Sequence, residues 1–175
     1  PIAADEPSDE RTKRGDDRKN PELLAPAAPA VDPADLLNRP AKRIDQRAAR
    51  KFLQGRRVLI TGAGGTIGSE LVRQALEFDP ASVALLDNAE FNLYEIDLQL
   101  RETHPNATWT SYFADVCRAE HLERAFEAER PEIVLHAAAL KHVPIAEQNP
   151  CAAALTNVLG AKNVFDLAVR YGAGA

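Results

Sequence analysis

The feature that most constrains the fold is a glycine-rich turn between an apolar run and an amphipathic segment. Residues 58–60, Val-Leu-Ile, lead directly into TGAGGTIGSE, in which Gly62, Gly65 and Gly68 stand three apart. The chain has nine glycines, and four of them fall within residues 62–68. Glycine loses more conformational entropy on folding than other residues, so this concentration indicates a turn whose backbone must approach something closely.

Between a predicted strand and a predicted helix, this spacing is typical of a dinucleotide-binding loop. We expect Gly62 to make the tight turn, Gly65 to let the backbone approach a pyrophosphate, and Gly68 to let the helix pack on the strand. The N–H groups at the helix start, at Thr66 and Ile67, would then face the phosphates, where the helix dipole favours negative charge. The alternative is a glycine-rich turn without a ligand.

From Gly55 onward, short apolar runs alternate with amphipathic segments. Strands are predicted at RRVLIT, SVALLD, TWTSYF and EIVLHAA, and helices at TIGSELVRQALEF, EFNLYEIDLQLRE, RAEHLERAFEAE and from Asn149 to about Tyr171. This alternation predicts an α/β fold, a Rossmann-type doubly wound parallel sheet with strand order 3-2-1-4. A next strand is expected where the chain stops at YGAGA, so we expect the sheet to be truncated at about four strands.

Helix faces and caps give more local expectations. The first helix after the glycines should turn one face, from Ile67 to Phe78, towards the core. Asp115 is expected to cap the helix RAEHLERAFEAE. Asn149 should cap the last helix, with Pro150 at its first position.

An acidic residue ends the second predicted strand. Asp87 follows Gly68 by about 20 residues, where a carboxylate can accept hydrogen bonds from the ribose hydroxyls of a dinucleotide. It would repel a 2′-phosphate, and no Lys or Arg lies between Arg73 and Arg101 to offset this. We therefore expect NAD as the cofactor, with NADP disfavoured. Asp87 could instead cap the following helix, and the two roles are compatible.

Other cofactor contacts are expected at the ends of the predicted strands. Asn88 adjoins Asp87, and Asp115 with Val116 follows the third strand, where the adenine edge would lie. Small side chains that permit close backbone approach follow the fourth strand, at Ala137, Ala138 and Ala139. For Asp115 the simpler alternative is the helix cap alone.

Charge and composition exclude several classes of protein. The formal net charge of -5 argues against a nucleic-acid binder, and no apolar run reaches the roughly 20 residues of a membrane span. Cys117 and Cys151 have neither metal-binding nor CxxC spacing, so we expect free thiols in a reducing compartment and no metal. The chain contains no Met, so we expect a fragment or a processed chain.

Composition also divides the chain into three parts. Residues 1–31 mix charges with prolines and contain no aromatic residue, so a disordered tail is predicted. Residues 32–54 are predicted to be a linker with short helices, one starting at Asp32-Pro33 and one, DQRAARKFL, packing Phe52 and Leu53 on the main domain. Residues 55–175 are predicted to form an NAD-binding Rossmann domain, incomplete at its C-terminus.

Four stretches together resemble the extended short-chain dehydrogenase/reductase superfamily: TGAGGTIGSEL, LLDNAEFNLYEI, HAAALKHVPIAEQNP and TNVLGAKNV. They are most similar to polysaccharide-biosynthesis nucleotide-sugar 4,6-dehydratases that act on UDP-N-acetylglucosamine, from about Asp35 to the end. The resemblance implies bound NAD, a UDP-sugar substrate and a lyase reaction that yields a 4-keto-6-deoxy sugar, with a base and an acid to move protons. It also implies a homo-oligomer, and a cytoplasmic domain preceded by membrane helices.

The resemblance assigns roles to three more residues. Lys141 and His142 would lie near the substrate, and Asn157, within the last helix, would position a catalytic lysine or a water. The alternatives are a solvated loop lysine, a loop histidine and an ordinary helix-face asparagine.

The catalytic residues themselves are not recognisable in the chain. No lysine lies four positions after Tyr94, Tyr112 or Tyr171, and the acid–base stretch of the family is expected beyond Ala175. We therefore expect the 175-residue chain to be inactive alone. Two rivals remain: a nucleotide-sugar 4-epimerase of the same superfamily, and a non-catalytic dinucleotide-binding protein.

Overall fold

The computed structural model describes residues 45–174. Along the chain, its elements are α1 (Gln46–Leu53), β1 (Arg57–Thr61), α2 (Thr66–Leu76), β2 (Ser82–Asp87), α3 (Glu90–Thr103), β3 (Trp109–Phe113), α4 (Ala119–Glu129), β4 (Ile133–His136), α5 (Val143–Gln148), α6 (Pro150–Ala154), a π-helical segment (Leu155–Gly160) and α7 (Ala161–Tyr171). The predicted tail and the helical turn predicted at Asp32-Pro33 lie outside the described residues.

The four strands form one parallel sheet in the order β3-β2-β1-β4. In its central register Leu59 of β1 pairs with Ala84 of β2 on one side and Val134 of β4 on the other. The predicted fold class and strand order are confirmed. All strands run the same way, so their carboxyl ends meet at one edge of the sheet, where ligands bind in folds of this type.

Both faces of the sheet are covered, because side chains alternate along each strand. Val58 and Ile60 join a hydrophobic cluster with residues of α2 and α3, whereas Leu59 joins a second cluster with residues of α4 and α7. The buried face of α3 is formed by Leu93, Ile96 and Leu100, and that of α4 by Leu122, Ala125 and Phe126.

Helix α1 packs on the domain through one of its two predicted contacts. The Asp45 carboxylate caps it by accepting hydrogen bonds from the amides of Arg47 and Ala48, at 3.0 Å each. Leu53 is buried in the core, but Phe52 is 44% exposed, so the prediction for Phe52 is wrong. The two neighbours point to different sides of the helix, and only one side meets the sheet.

Three local predictions are corrected by the structure. Ile67, in the first turn of α2, is 58% exposed, although Ala75 and Phe78 of the same predicted face are buried. Asp115 is not the cap of α4: its carboxylate accepts from the Cys117 amide in a turn, and Arg118 holds the cap position. Asn149 holds the cap position of α6 with Pro150 at the first position, as predicted, but its side chain makes no cap bond and donates instead to the Ile145 carbonyl.

The helix predicted from Asn149 to about Tyr171 is confirmed as one continuous helical run, Pro150–Tyr171, and a short helix that was not predicted, α5, precedes it. The short helix α5 has a proline in its first turn, and the run Pro150–Tyr171 contains the π-helical segment. A π-helical turn accommodates one extra residue, and such turns occur often at functional sites. Among residues 45–174, no helix combines the length and the apolar character needed to cross a bilayer.

Candidate functional site

A cleft of about 340 Å³ lies at the carboxyl edge of the sheet. The turn after β1, the turn after β2 and the loop after β4 form its walls, with contributions from the turn after β3 and from the π-helical segment. Of the cofactor contacts expected from the sequence, all except Asp115 line this cleft, and Lys141 lines it as well.

The glycine turn is as tight as its residues suggest. Gly62 has a φ of 65°, in the left-handed region, and a Cβ there would lie 2.7 Å from the amide nitrogen of Ala138. A Cβ on Gly68 would collide with the carbonyl oxygen of Gly62. Any larger side chain at either position would push the helix or the alanine loop away from the end of β1.

The N-terminus of α2 opens onto the cleft without a protein cap. Gly65 holds the cap position and makes no side-chain hydrogen bond to the helix. The first amides of an α-helix have no intrahelical acceptor, and they carry the positive end of the helix dipole. Thr66 and Ile67 line the cleft at this point, so the residues present fit a bound diphosphate.

Asp87 links the turn after β1 to the turn after β2. Its side chain is almost fully buried, and one carboxylate oxygen accepts from the amide of Gly64 while the other accepts from the amide of Ala89, at 2.9 Å each. The bond to Ala89 closes a turn before α3 begins, so Asp87 stabilises the turn without being the helix cap. Carboxylate oxygens can accept more than one hydrogen bond, so Asp87 retains capacity for a ligand hydroxyl.

The start of the β4 loop is bonded to the end of β1. The amide of Ala137 donates to the carbonyl of Thr61 at 3.1 Å, and the Thr61 hydroxyl lies 2.6 Å from Nδ1 of His136. Thr61 is fully buried, and burial lowers the pKa of His136 below its usual range. The alanines that follow therefore leave the sheet from an anchored point.

Asn157 holds the far end of the same loop. Its side-chain oxygen accepts from the Leu140 amide at 2.8 Å, and its side-chain nitrogen donates to the Leu140 carbonyl at 2.9 Å. Asn157 is thus more than an ordinary helix-face asparagine, because its amide group pairs with both backbone groups of one residue. The residue after Leu140 is Lys141, whose exposed side chain borders the cleft.

Asp115 and His142 are chain neighbours of cleft residues but do not line the cleft themselves. The Asp115 carboxylate serves the turn at Cys117, and His142 holds the cap position of α5. Sequence reasoning missed six lining residues: Leu86, Ala89, Asn92, Ala114, Leu140 and Thr156. Only the contact of Asn92 had a sign in the sequence, which was Gly64, the fourth glycine of the turn. A Cβ on Gly64 would lie 2.6 Å from Asn92, so this glycine marks a close approach of the two residues.

Comparison with known proteins shows which family this chain resembles over most of its length. The family described as "Polysaccharide biosynthesis protein" matches residues 58–175. The capsular polysaccharide biosynthesis protein CapD of Staphylococcus aureus is 39% identical over 139 residues, which cover 79% of this chain and 23% of that protein. A UDP-N-acetylglucosamine 4,6-dehydratase (inverting) of Campylobacter jejuni is 34% identical over 123 residues, covering 69% of this chain and 35% of that protein.

A solved structure supports the fold independently. The UDP-glucose 4-epimerase of Thermus thermophilus, crystallised with NAD, superposes with a TM-score of 0.53 and 33% identity, over 66% of this chain and 34% of that chain. The chain therefore spans only about a quarter to a third of the proteins it matches. Because the family matches residues 58–175, a range that includes every residue lining the cleft, the chain belongs to the polysaccharide biosynthesis protein family, within the extended short-chain dehydrogenase/reductase superfamily.

Proposed function

We propose that the chain is the NAD-binding part of a nucleotide-sugar 4,6-dehydratase that acts on UDP-N-acetylglucosamine in polysaccharide biosynthesis. One observation carries the proposal: the uncapped N-terminus of α2 and the Asp87 carboxylate border the same cleft at the carboxyl edge of a parallel sheet. Amides that suit a diphosphate and an acid that suits a ribose therefore line one cleft.

The cleft offers a separate contact for each part of the cofactor. The first amides of α2 would hold the diphosphate, Asp87 the adenosine ribose, Val116 the adenine, and the alanine loop would border the nicotinamide. When bound, NAD would accept a hydride from the sugar and return it later in the reaction. The protein's part in that chemistry is to orient the sugar and to exclude water.

NAD is proposed in preference to NADP because the cleft carries the Asp87 carboxylate, and no Lys or Arg stands in the sequence between Arg73 and Arg101. Asp87 would repel a 2′-phosphate. The nearest preceding cation in the sequence, Arg73, bonds to Glu70 at 3.1 Å and to Gln99 at 3.2 Å. Its guanidinium is thus already paired along α2 and α3.

The substrate end of the cleft is assigned to the loop after β4. Lys141 borders the cleft as an exposed cation, which suits the phosphates or hydroxyls of a nucleotide sugar. Asn157 holds the residue before it through both backbone groups. The name of the Campylobacter relative supports UDP-N-acetylglucosamine as the sugar nucleotide. His142 is proposed only as a neighbour of this site.

The proton-transfer groups are proposed to lie in a part of the protein outside these 175 residues. None of the tyrosines Tyr94, Tyr112 and Tyr171 is followed four positions later by a lysine. The chain alone should therefore bind NAD but yield no 4-keto-6-deoxy sugar from UDP-N-acetylglucosamine. Mass spectrometry of the reaction mixture tests this, and product formation by the 175-residue chain would overturn it.

A 4-epimerase is the second candidate, favoured by the likeness to the Thermus enzyme. The two reactions differ in mass: a dehydratase product is lighter than its substrate by one water, whereas an epimerase product has an unchanged mass. Incubating the full-length protein with UDP-N-acetylglucosamine separates the candidates. An unchanged mass with an altered sugar configuration would replace the dehydratase proposal with the epimerase.

Cofactor binding is tested by titration calorimetry of the 175-residue chain with NAD, NADH and NADP. We expect NAD to bind at least about tenfold more tightly than NADP, the effect of roughly one charge contact. An absence of heat with all three dinucleotides would contradict the proposed cofactor binding and leave only the family assignment.

We also propose that the protein is a homo-oligomer. Three large apolar side chains between Leu155 and Tyr171 are mostly exposed: Val158 (68%), Phe165 (67%) and Val169 (63%). An exposed apolar surface of this kind is typical of an interface between proteins. Light scattering of the full-length protein measures the assembly, and a monomeric mass would contradict it. The cytoplasmic location and the upstream membrane helices implied by the resemblance stay predictions.

A further inference from the structure

Helix α3 carries an apolar row on the side that faces away from the core. Phe91, Tyr94 and Leu98 are 67%, 62% and 45% exposed. They follow one another by three and four residues, so they share one side of the helix, whereas the core residues of α3 lie on the other. An exposed row of large apolar side chains is typical of a surface that another molecule covers.

An acidic row runs beside the apolar row. Glu95 follows Phe91 by four residues and Glu102 follows Leu98 by four, so each of these exposed carboxylates lies next to an apolar side chain. Over residues 45–174, neither carboxylate has an ion-pair partner. The two rows together are the α3 surface, which consists of Phe91, Tyr94, Glu95, Leu98 and Glu102.

Helix α1 presents two rows of the opposite charge. Arg47 and Lys51 are exposed and four residues apart, and beside them Ala48 and Phe52 are also exposed and four residues apart. Neither cation forms an ion pair in the part of the chain that the structure describes. The aromatic ring of Phe52, which the core does not use, therefore belongs to an α1 surface formed by Arg47, Ala48, Lys51 and Phe52.

The two surfaces complement each other but do not meet within one copy, because every side chain in both is exposed. We propose that the α1 surface of one copy packs on the α3 surface of another, with the apolar rows in contact and the cations against the carboxylates. The inference rests on the proposed homo-oligomer and deepens it. It names a surface separate from the exposed residues between Leu155 and Tyr171.

Charge favours a second copy over other classes of occupant. The carboxylates of the α3 surface repel anionic lipid headgroups and the phosphates of nucleic acid, and they attract a cationic partner. Each further copy of the chain supplies such a partner, with apolar side chains in the adjoining row. Because the contact joins two different surfaces, every copy can both give and receive it.

The test reverses one charge on each surface. Sedimentation velocity over a range of concentrations measures association of the 175-residue chain. We expect Lys51→Glu and Glu95→Lys each to weaken association by about tenfold, because an attraction becomes a repulsion. The combined variant restores opposite charges and should associate within about threefold of the unmodified chain. Arg124→Glu, a reversal of an exposed cation on the opposite face of the sheet, should change nothing.

Three results would overturn the inference. The first is equal association of the unmodified chain and both single variants, which would leave the surface between Leu155 and Tyr171 to carry the homo-oligomer. The second is a combined variant that associates as weakly as the single ones. The third is a monomeric unmodified chain at every concentration, while light scattering of the full-length protein decides the homo-oligomer separately.

A second pair of reversals guards against variants that do not fold. Circular dichroism checks folding, and Arg47→Glu with Glu102→Lys repeats the exchange on the other two charges of the same rows. Failure of both pairs to fold would show that these charges stabilise the single chain, which also overturns the inference.

Discussion

The two walls of the cleft are built by different means. On one wall, the glycine turn after β1 is shaped by the absence of side chains, and backbone atoms approach each other directly at Gly62 and Gly68. On the other, the loops after β3 and β4 are held by side-chain amides: Asn157 bonds to Leu140 across 17 residues, and Asn163 bonds to Val116 across 47. We therefore expect added side-chain atoms to displace the first wall, and the loss of side-chain hydrogen bonds to loosen the second.

The largest effect is expected from Gly62→Ala. The new Cβ would sit at a φ of 65° and 2.7 Å from the Ala138 amide nitrogen, so both the turn and the alanine loop must move. We expect a loss of about 3 kcal/mol of stability, which combines left-handed strain with overpacking. NAD binding should fall by more than about 100-fold, because the loop that carries the diphosphate shifts. Urea unfolding and calorimetry measure the two quantities.

Gly55→Ala is the matched control for this variant. Gly55 has a φ of 69°, but a Cβ there would meet nothing within 4 Å. Its cost should be the backbone strain alone, about 1 kcal/mol, with NAD binding unchanged. Equal losses in the two alanine variants would mean that strain, and not close approach to the alanine loop, makes Gly62 necessary.

The contrast explains why the first wall could be predicted from the sequence. The spacing of Gly62, Gly65 and Gly68 reports a local backbone requirement, and local requirements are visible in a single chain. The same holds for Asp87, which directly ends a strand in a parallel sheet whose order was predicted correctly. What the sequence did not reveal is that Asp87 also bonds to the Gly64 amide, since that contact needs the turns after β1 and β2 side by side.

Asp87→Asn tests the link between the two turns of the first wall. The side-chain amide can accept at one position only, so a bond to Gly64 or Ala89 is lost and a negative charge disappears from the ribose end. We expect NAD to bind about tenfold more weakly and the preference for NAD over NADP to shrink to about threefold or less, both measured by calorimetry.

Glu90→Gln controls for the loss of charge as such. Glu90 is an exposed carboxylate at the start of α3 and does not line the cleft. The preference should persist in this variant. If the preference for NAD over NADP survives in Asp87→Asn, or disappears in both variants, then the Asp87 carboxylate does not specifically set cofactor selectivity.

A smaller effect is expected from Asn157→Ala, which removes the two bonds to Leu140 from the second wall. Because the side chain is exposed, we expect about 1 kcal/mol of lost stability. Exchange of the Leu140 amide with solvent should speed up by about fivefold, which is the kinetic counterpart of that local loss. NMR hydrogen exchange measures it, with the Ala63 amide of the first wall as the internal reference.

Asn149→Ala separates this effect from a general loosening of the helices after β4. The Asn149 side chain donates one bond, to the Ile145 carbonyl at 3.0 Å, and makes no bond to the alanine loop. Leu140 exchange should keep its rate in this variant. Faster exchange in both variants, or a parallel change at Ala63, would show that the two walls are not held independently.

The second wall explains the errors of sequence interpretation. Asn149 and Asp115 are residue types typical of helix caps, but local hydrogen bonds use their side chains instead: Asn149 donates to the Ile145 carbonyl four residues before it, and Asp115 accepts from the Cys117 amide two residues after it. The extra residue of the π-helical segment has no local signature either. The π-helical segment packs through Gly160 on Val116 and bonds through Asn157 to Leu140. These contacts join residues far apart in the sequence and exist only after the sheet has formed.

The smallest expected effect is a pH dependence where the two walls meet, at the pair of Thr61 and His136. Burial lowers the pKa of His136 below its ordinary value of 6.5, so the unfolded chain binds a proton more readily than the folded one. Stability should therefore be complete above about pH 6.5 and decrease as the pH falls towards the lowered folded value. Much of the residue stays exposed, so the loss should be under about 1 kcal/mol. His136→Gln should flatten this part of the stability profile, measured by urea unfolding between about pH 5 and 7.5. An identical slope in the variant would mean that the hydroxyl of Thr61 holds the two walls together whatever the charge of its partner.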